Sequence, residues 1–168
     1  MADVITGRQT ATVDDDVVAF LIGMRINRLR RVRSWMPAFR AMPRMLSELA
    51  ANPSLGLLGV HSFWAGRTIL AVQYWRSFED LERFARSKDH EHLPAWREFN
   101  RLVGDNGDVG IFHETYRVGS GTAESLYGNM PRFGMGGAVG SVPVAVRGQS
   151  AGRRMGTTAT DEPAVTPY

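Results

Sequence analysis

The sequence predicts an α+β fold of β-α-β-β-α-β order, the ferredoxin-like arrangement, on three observations. Four short stretches rich in β-branched and aromatic residues alternate with segments whose apolar residues recur every three or four positions. A helix start signal, Ser34 or Ser77, precedes the first of those segments on each side of the middle strands. The two middle strands are joined by the short glycine-containing connection Ala65-Gly66-Arg67, a hairpin signal.

Each element has its own warrant. Residues 1–14 are polar and are expected to be disordered or extended, a flexible N-terminus before a ferredoxin-like domain over residues 15–117. Val17 to Ile26 reads as the first strand, too short for a helix. Ser34 is the expected cap of a helix from Trp35 to Ala51, with Asn52-Pro53 as its stop. Met36, Phe39, Met42, Leu46 and Leu49 give that helix one apolar face. Pro37 falls in the first turn, whereas Pro43 lies inside and is expected to kink or split the helix. Strands follow over residues 55–64 and 68–75. Ser77 caps the next helix, with Asp80 three residues on, and Phe78, Leu81, Phe84 and Ala85 form its buried stripe. That helix is expected to end near Lys88, and Pro94 opens a segment with Trp96, Phe99, Leu102 and Val103 facing inward. After a turn at residues 104–107, Val109 to Tyr116 is the last clear strand. Beyond it glycines multiply: residues 118–144 read as an extended packing segment and 145–168 as a disordered tail.

An antiparallel sheet with helices on one face leaves its other face uncovered. Here that face would carry bulky residues, a large exposed apolar patch. Two sheets paired face to face in a homodimer would cover it.

Composition narrows the function. With no cysteine among 168 residues, thiolate catalysis, disulfides and cysteine zinc sites are excluded. No apolar run approaches the roughly 18 residues that span a bilayer. Residues 1–12 lack the basic-then-apolar pattern of a secretory signal, so a cytoplasmic protein with no membrane partner is expected. The net charge of +3 rests almost wholly on arginine, Lys88 being the single lysine. Arg25, Arg28, Arg30, Arg31 and Arg33 cluster within nine residues and could meet an anion. Nucleic acid is not the expected partner, because the run has no interleaved aromatics, zinc-finger spacing or RNP-like strand beside it.

Four histidines carry the candidate chemistry: His61, His90, His92 and His113. His90 and His92 are two apart and would diverge on a helix, which disfavours a shared metal. One of them, next to the helix start at Pro94, could be an axial heme ligand; a solvated loop explains the same residues.

Three stretches, Gly23 to Asn27, Gln73 to Leu81 and Val109 to Tyr116, resemble the fungal and bacterial monooxygenase-like proteins that include the fumagillin-pathway monooxygenase. The likeness covers roughly residues 15 to 135 and implies a dimeric α/β barrel binding a small hydrophobic substrate. More distantly, Leu81-Glu82-Arg83-Phe84 through His92, with Phe112-His113-Glu114, is similar to the heme-containing aldoxime dehydratases. That similarity implies heme b, with His92 as proximal iron ligand, His90 as its competitor and His113 as the distal, catalytic acid-base group. Arg25 and Arg28 would then pair with heme propionates, where bidentate bonds suit a guanidinium. His61, Trp64, Trp75, Trp96, Phe112 and Tyr116 would line the substrate pocket, though a plain core accounts for most of these aromatics equally well.

The resulting expectation is a heme-dependent, monooxygenase-like enzyme acting on a small hydrophobic organic substrate. Three alternatives stand beside it: a cofactor-free monooxygenase using His61 or His113 as base, an aldoxime dehydratase-like lyase, and a non-catalytic ligand- or heme-binding protein.

Overall fold

The computed structural model describes residues 3–87, 97, 99–101 and 103–163, which form two compact units. One spans Val18–Tyr116; the other joins the first seventeen residues to those from Arg117 onward.

The Val18–Tyr116 unit contains the expected sheet. Its strands are β2 (Val17–Ile26), β3 (Leu57–Ala65), β4 (Thr68–Trp75) and β5 (Val109–Val118), in the order β3-β4-β2-β5. β4 runs antiparallel to both neighbours, with Ala71 opposite Ser62 on β3 and Ile22 on β2. β5 also runs antiparallel to β2: the Asn27 N–H donates to the Asp108 carbonyl, and further along Phe112 lies over Gly23. Gly23 is required there, because a Cβ would come within 2.5 Å of the Phe112 ring. This is the ferredoxin-like α+β fold.

Helix α1 (Val32–Ala51) departs from expectation at its start and middle. It begins two residues before Ser34, whose hydroxyl donates to Asp108 instead of capping. Of the kink or split expected at Pro43 the split does not occur: the helix continues through it, packing of the apolar face outweighing the lost backbone N–H. Asn52 ends it, its side-chain amide donating to the Glu48 carbonyl, and a single 3-10 turn at Pro53–Leu55 delays β3 to Leu57. The β3–β4 connection is a two-residue turn with Gly66 at φ 59°.

Helix α2 (Phe78–Arg86) starts as its sequence signal indicates, the Asp80 N–H donating to the Ser77 hydroxyl at 3.1 Å. Asp80 is also an anchor: its buried carboxylate accepts from Arg76 at 2.8 Å and Arg83 at 2.7 Å, and it packs against Gly56, whose φ of 96° and missing Cβ leave room for it. Burial pushes this carboxyl up, but the hydrogen bonds and charges of Arg76 and Arg83 outweigh it and hold it below the ordinary value.

The second unit holds more regular structure than its composition suggests. The N-terminal segment contains strand β1 (Ile5–Ala11), which lies between β6 (Tyr127–Met130) and β7 (Ser141–Pro143) in its own sheet. Ala11, Val13 and Val17 pack with Tyr127, Met135 and Val139, so the polar look of residues 1–14 hid a short apolar edge. Within residues 118–144, expected to be extended, lies helix α3 (Gly134–Val139); the expected disordered tail from residue 145 contains most of α4 (Val144–Arg147) and all of α5 (Ala151–Arg154). Arg154, 5% exposed along its side chain, bonds Glu124 and the carbonyls of Gly148 and Gln149. Side-chain-to-backbone bonds of this kind order a glycine-rich chain without a large apolar core.

No helix among the described residues is long and apolar enough to cross a membrane.

Candidate functional site

Along β4, Ile69, Ala71, Gln73 and Trp75 point to the helices, and Thr68, Leu70, Val72 and Tyr74 point away. A contiguous core would be expected beneath α1. Instead there are two. Val18, Leu49, Trp75, Leu81 and Phe84 form one, with Trp75 fully buried and its ring 5.8 Å from that of Phe84. Met24, Ile26, Phe99, Val103 and Val109 form the other. Between them lies a cavity of about 800 Å³, within the range typical of small-molecule sites.

Its floor is the sheet row at Ala71 and Ile22. Phe39, Met42, Met45 and Leu46 of α1 roof it, together with Phe78, Leu81, Glu82 and Ala85 of α2. β5 contributes Ile111, His113 and Thr115, all exposed, so the cavity is open along that strand. The lining is mostly apolar. His113 is the imidazole on its wall, its ring 5.7 Å from that of Phe20 and tilted by 40°. Glu82 is the carboxylate, paired with Arg86 at 2.9 Å.

Of the other expected pocket residues that the structure describes, none is in the lining. Trp75 fills the first core, and its indole N–H donates to Gln73 at 2.9 Å. His61 lies on the sheet face away from the helices, as do Phe112 and Tyr116, whose hydroxyl donates to Glu114 at 2.6 Å. Trp64 does face the helices, its ring 6.0 Å from that of Phe39, but it stands 67% exposed outside the cavity. Trp96, His90 and His92 lie outside the described residues.

The arginine cluster forms a separate basin of about 640 Å³ beside the start of α1. Arg28 is held there by Asp108 at 3.0 Å. The Ser34 hydrogen bond, aided by Arg28 and Arg31, keeps the Asp108 carboxyl below its ordinary value despite burial. Arg25 lies on the outer sheet face, its guanidinium reaching Thr68 at 3.4 Å. Neither arginine lines the apolar cavity.

Sequence reasoning missed the cavity's roof. Phe39, Met42 and Leu46 were legible as an apolar stripe but read as core. Glu82 had a signal: it follows Phe78 by four residues and precedes Ala85 by three, a stripe position occupied by a carboxylate.

Fold and cavity together define a ferredoxin-like α+β protein with a ligand-sized apolar site under its first helix. The chain belongs to the family described as Monooxygenase af470-like, which residues 17–135 match. Among curated proteins it is similar to Monooxygenase af470 of Aspergillus fumigatus, 30% identical over 151 residues, covering 77% of this chain and 53% of that protein. It thus spans about half the length of that relative. Among solved structures, an aldoxime dehydratase (OxdRE) co-crystallised with butyraldoxime matches with a TM-score of 0.61 at 17% identity. That match covers 80% of this chain and 42% of the other, and it speaks to the fold alone.

Proposed function

We propose that this protein is a monooxygenase-like oxidoreductase that binds a small hydrophobic organic substrate in the cavity under α1. The observation that carries the reading is an imidazole, His113, on the wall of a site whose described lining is otherwise largely apolar. Such a wall desolvates an organic substrate, and an imidazole can take or give a proton near neutral pH. His113 would accept the proton of a bound phenol or enol, or return one to a reduced oxygen group.

The apolar walls would suit the macrocycle of heme b, and His113 would supply an acid-base group beside it. His92 or His90 would hold its iron. When bound, the heme would supply oxygen activation at its iron. The propionates would need partners other than Arg25 and Arg28, which stand away from the cavity. A second copy of the chain would cover the outer sheet face, where Phe63, Phe112 and Tyr116 are 43%, 39% and 51% exposed. Hence the reading includes a homodimer.

Titration of the purified protein with hemin, followed by absorption, tests the cofactor. The expected result is a Soret band that shifts with cyanide and is lost in His92→Ala or His90→Ala. A band unmoved by both substitutions, or none at all, would overturn the heme assignment. Oxygen uptake by heme-free protein with a phenol would then establish the cofactor-free form of the same reading.

A further inference from the structure

The cavity has a shape as well as a chemistry. Ser62 lies opposite Ala71, and Ala71 opposite Ile22. The β2–β5 pairing that sets Asn27 by Asp108 and Gly23 under Phe112 puts Ile22 beside His113. Ser62, Ala71, Ile22 and His113 therefore form one row across the sheet, on the helix-facing side, and all four line the cavity. At strand spacing such a row is about 14 Å long. On β4 the flanking side chains are taller than Ala71, Ile69 on one side and Gln73 on the other, and on β2 Met24 and Phe20 flank Ile22. Ala71 is the smallest side chain in the middle of its row, and it separates the two cores. The result is a trough running across the strands, with a hydroxyl at one end, an imidazole at the other and apolar walls between.

We infer that the site takes an elongated, largely apolar molecule lying across the strands. Its acidic head, such as a phenol, would sit at His113 and its tail would reach over Ala71 toward Ser62. Ala71 would then set the length of substrate accepted, and Ser62 would favour a tail ending in a hydroxyl. This deepens the functional reading and rests on the same cavity being the substrate site.

The test is binding, without turnover. Para-alkylphenols of increasing chain length would displace the neutral dye N-phenyl-1-naphthylamine from the purified protein. Affinity should rise about fourfold per methylene. It should level off at about six carbons, when ring and chain together fill the roughly 14 Å row. Ala71→Leu should weaken the long-chain members at least about tenfold and leave para-methylphenol unchanged. Ser62→Ala, a milder substitution, should cost about five- to tenfold for an alkylphenol ending in a hydroxyl and nothing for its methyl-ended counterpart. Affinity independent of chain length, or an equal loss for all members in Ala71→Leu, would overturn the inference. So would a Ser62→Ala variant with no preference lost. A protein that shows the length dependence yet never consumes oxygen would instead sink the oxygenase reading and leave this one standing.

Discussion

Trp75 and Ala71 stand four residues apart on one strand and one face, under the same two helices, and they do opposite things. Around Trp75 the space between sheet and helices is filled: Val18, Leu49, Leu81 and Phe84 close on the indole and leave it no exposed surface. Beside Ala71, itself only 3% exposed, packing is incomplete, and a cavity of about 800 Å³ remains. Empty space under a helix forfeits dispersion contacts, so the fold carries a cost in the middle that the flanking cores offset. The lesson is that periodicity assigns a side chain to a face, while its volume decides whether that face is a core or a site.

Substitutions can break this contrast. Trp75→Ala should be the most damaging, costing about 3–5 kcal/mol through lost burial and a new void. Urea unfolding followed by circular dichroism would measure it, and a cost below about 1 kcal/mol would mean that the cluster is no anchor.

Asp80→Asn should come next, at about 2 kcal/mol near neutral pH, because charge-assisted bonds to Arg76 and Arg83 are lost beside Gly56. Its pH dependence has a definite sign. The folded carboxyl titrates below its unfolded value of about 4, so its stabilisation is full above that pH and is lost as pH falls through the folded value. The gap between wild type and variant should therefore close in acid melts below about pH 4; a gap constant down to pH 2 would contradict the ion-pair account.

The smallest effect should come from Ala71→Leu, about 1 kcal/mol, since Ala71 is buried but borders the cavity, into which the added carbons can turn. The same enlargement in a packed core costs about 1–3 kcal/mol. A thermal melt showing a loss of that larger size would mean that the floor is already filled.

The order of strands and helices in the Val18–Tyr116 unit was readable because their apolar periods are clean and Ser77 marks its helix. The residues of the site were less so, and part of that was avoidable. Phe112 and His113 are neighbours on one strand, so they cannot both face one pocket; the same parity separates His61 from Trp64. Strand alternation alone could have divided the candidates into two faces. What it could not give was which face the helices cover, or that Phe39, Met42 and Leu46 roof a gap, because both depend on volumes summed across distant segments. The ordering of the C-terminal segment was hidden for a different reason. It rests on Arg154 bonding to backbone carbonyls, which no hydrophobic pattern records.

The central claim is that His113 does chemistry on a molecule bound in the trough. It is tested most directly by oxygen consumption with a para-alkylphenol, comparing wild type and His113→Asn at matched occupancy from the dye-displacement assay. The account predicts binding within about twofold of wild type and a turnover about a hundredfold lower or more, the usual cost of losing a general acid-base group. Turnover unchanged in the variant, with binding intact, would contradict it.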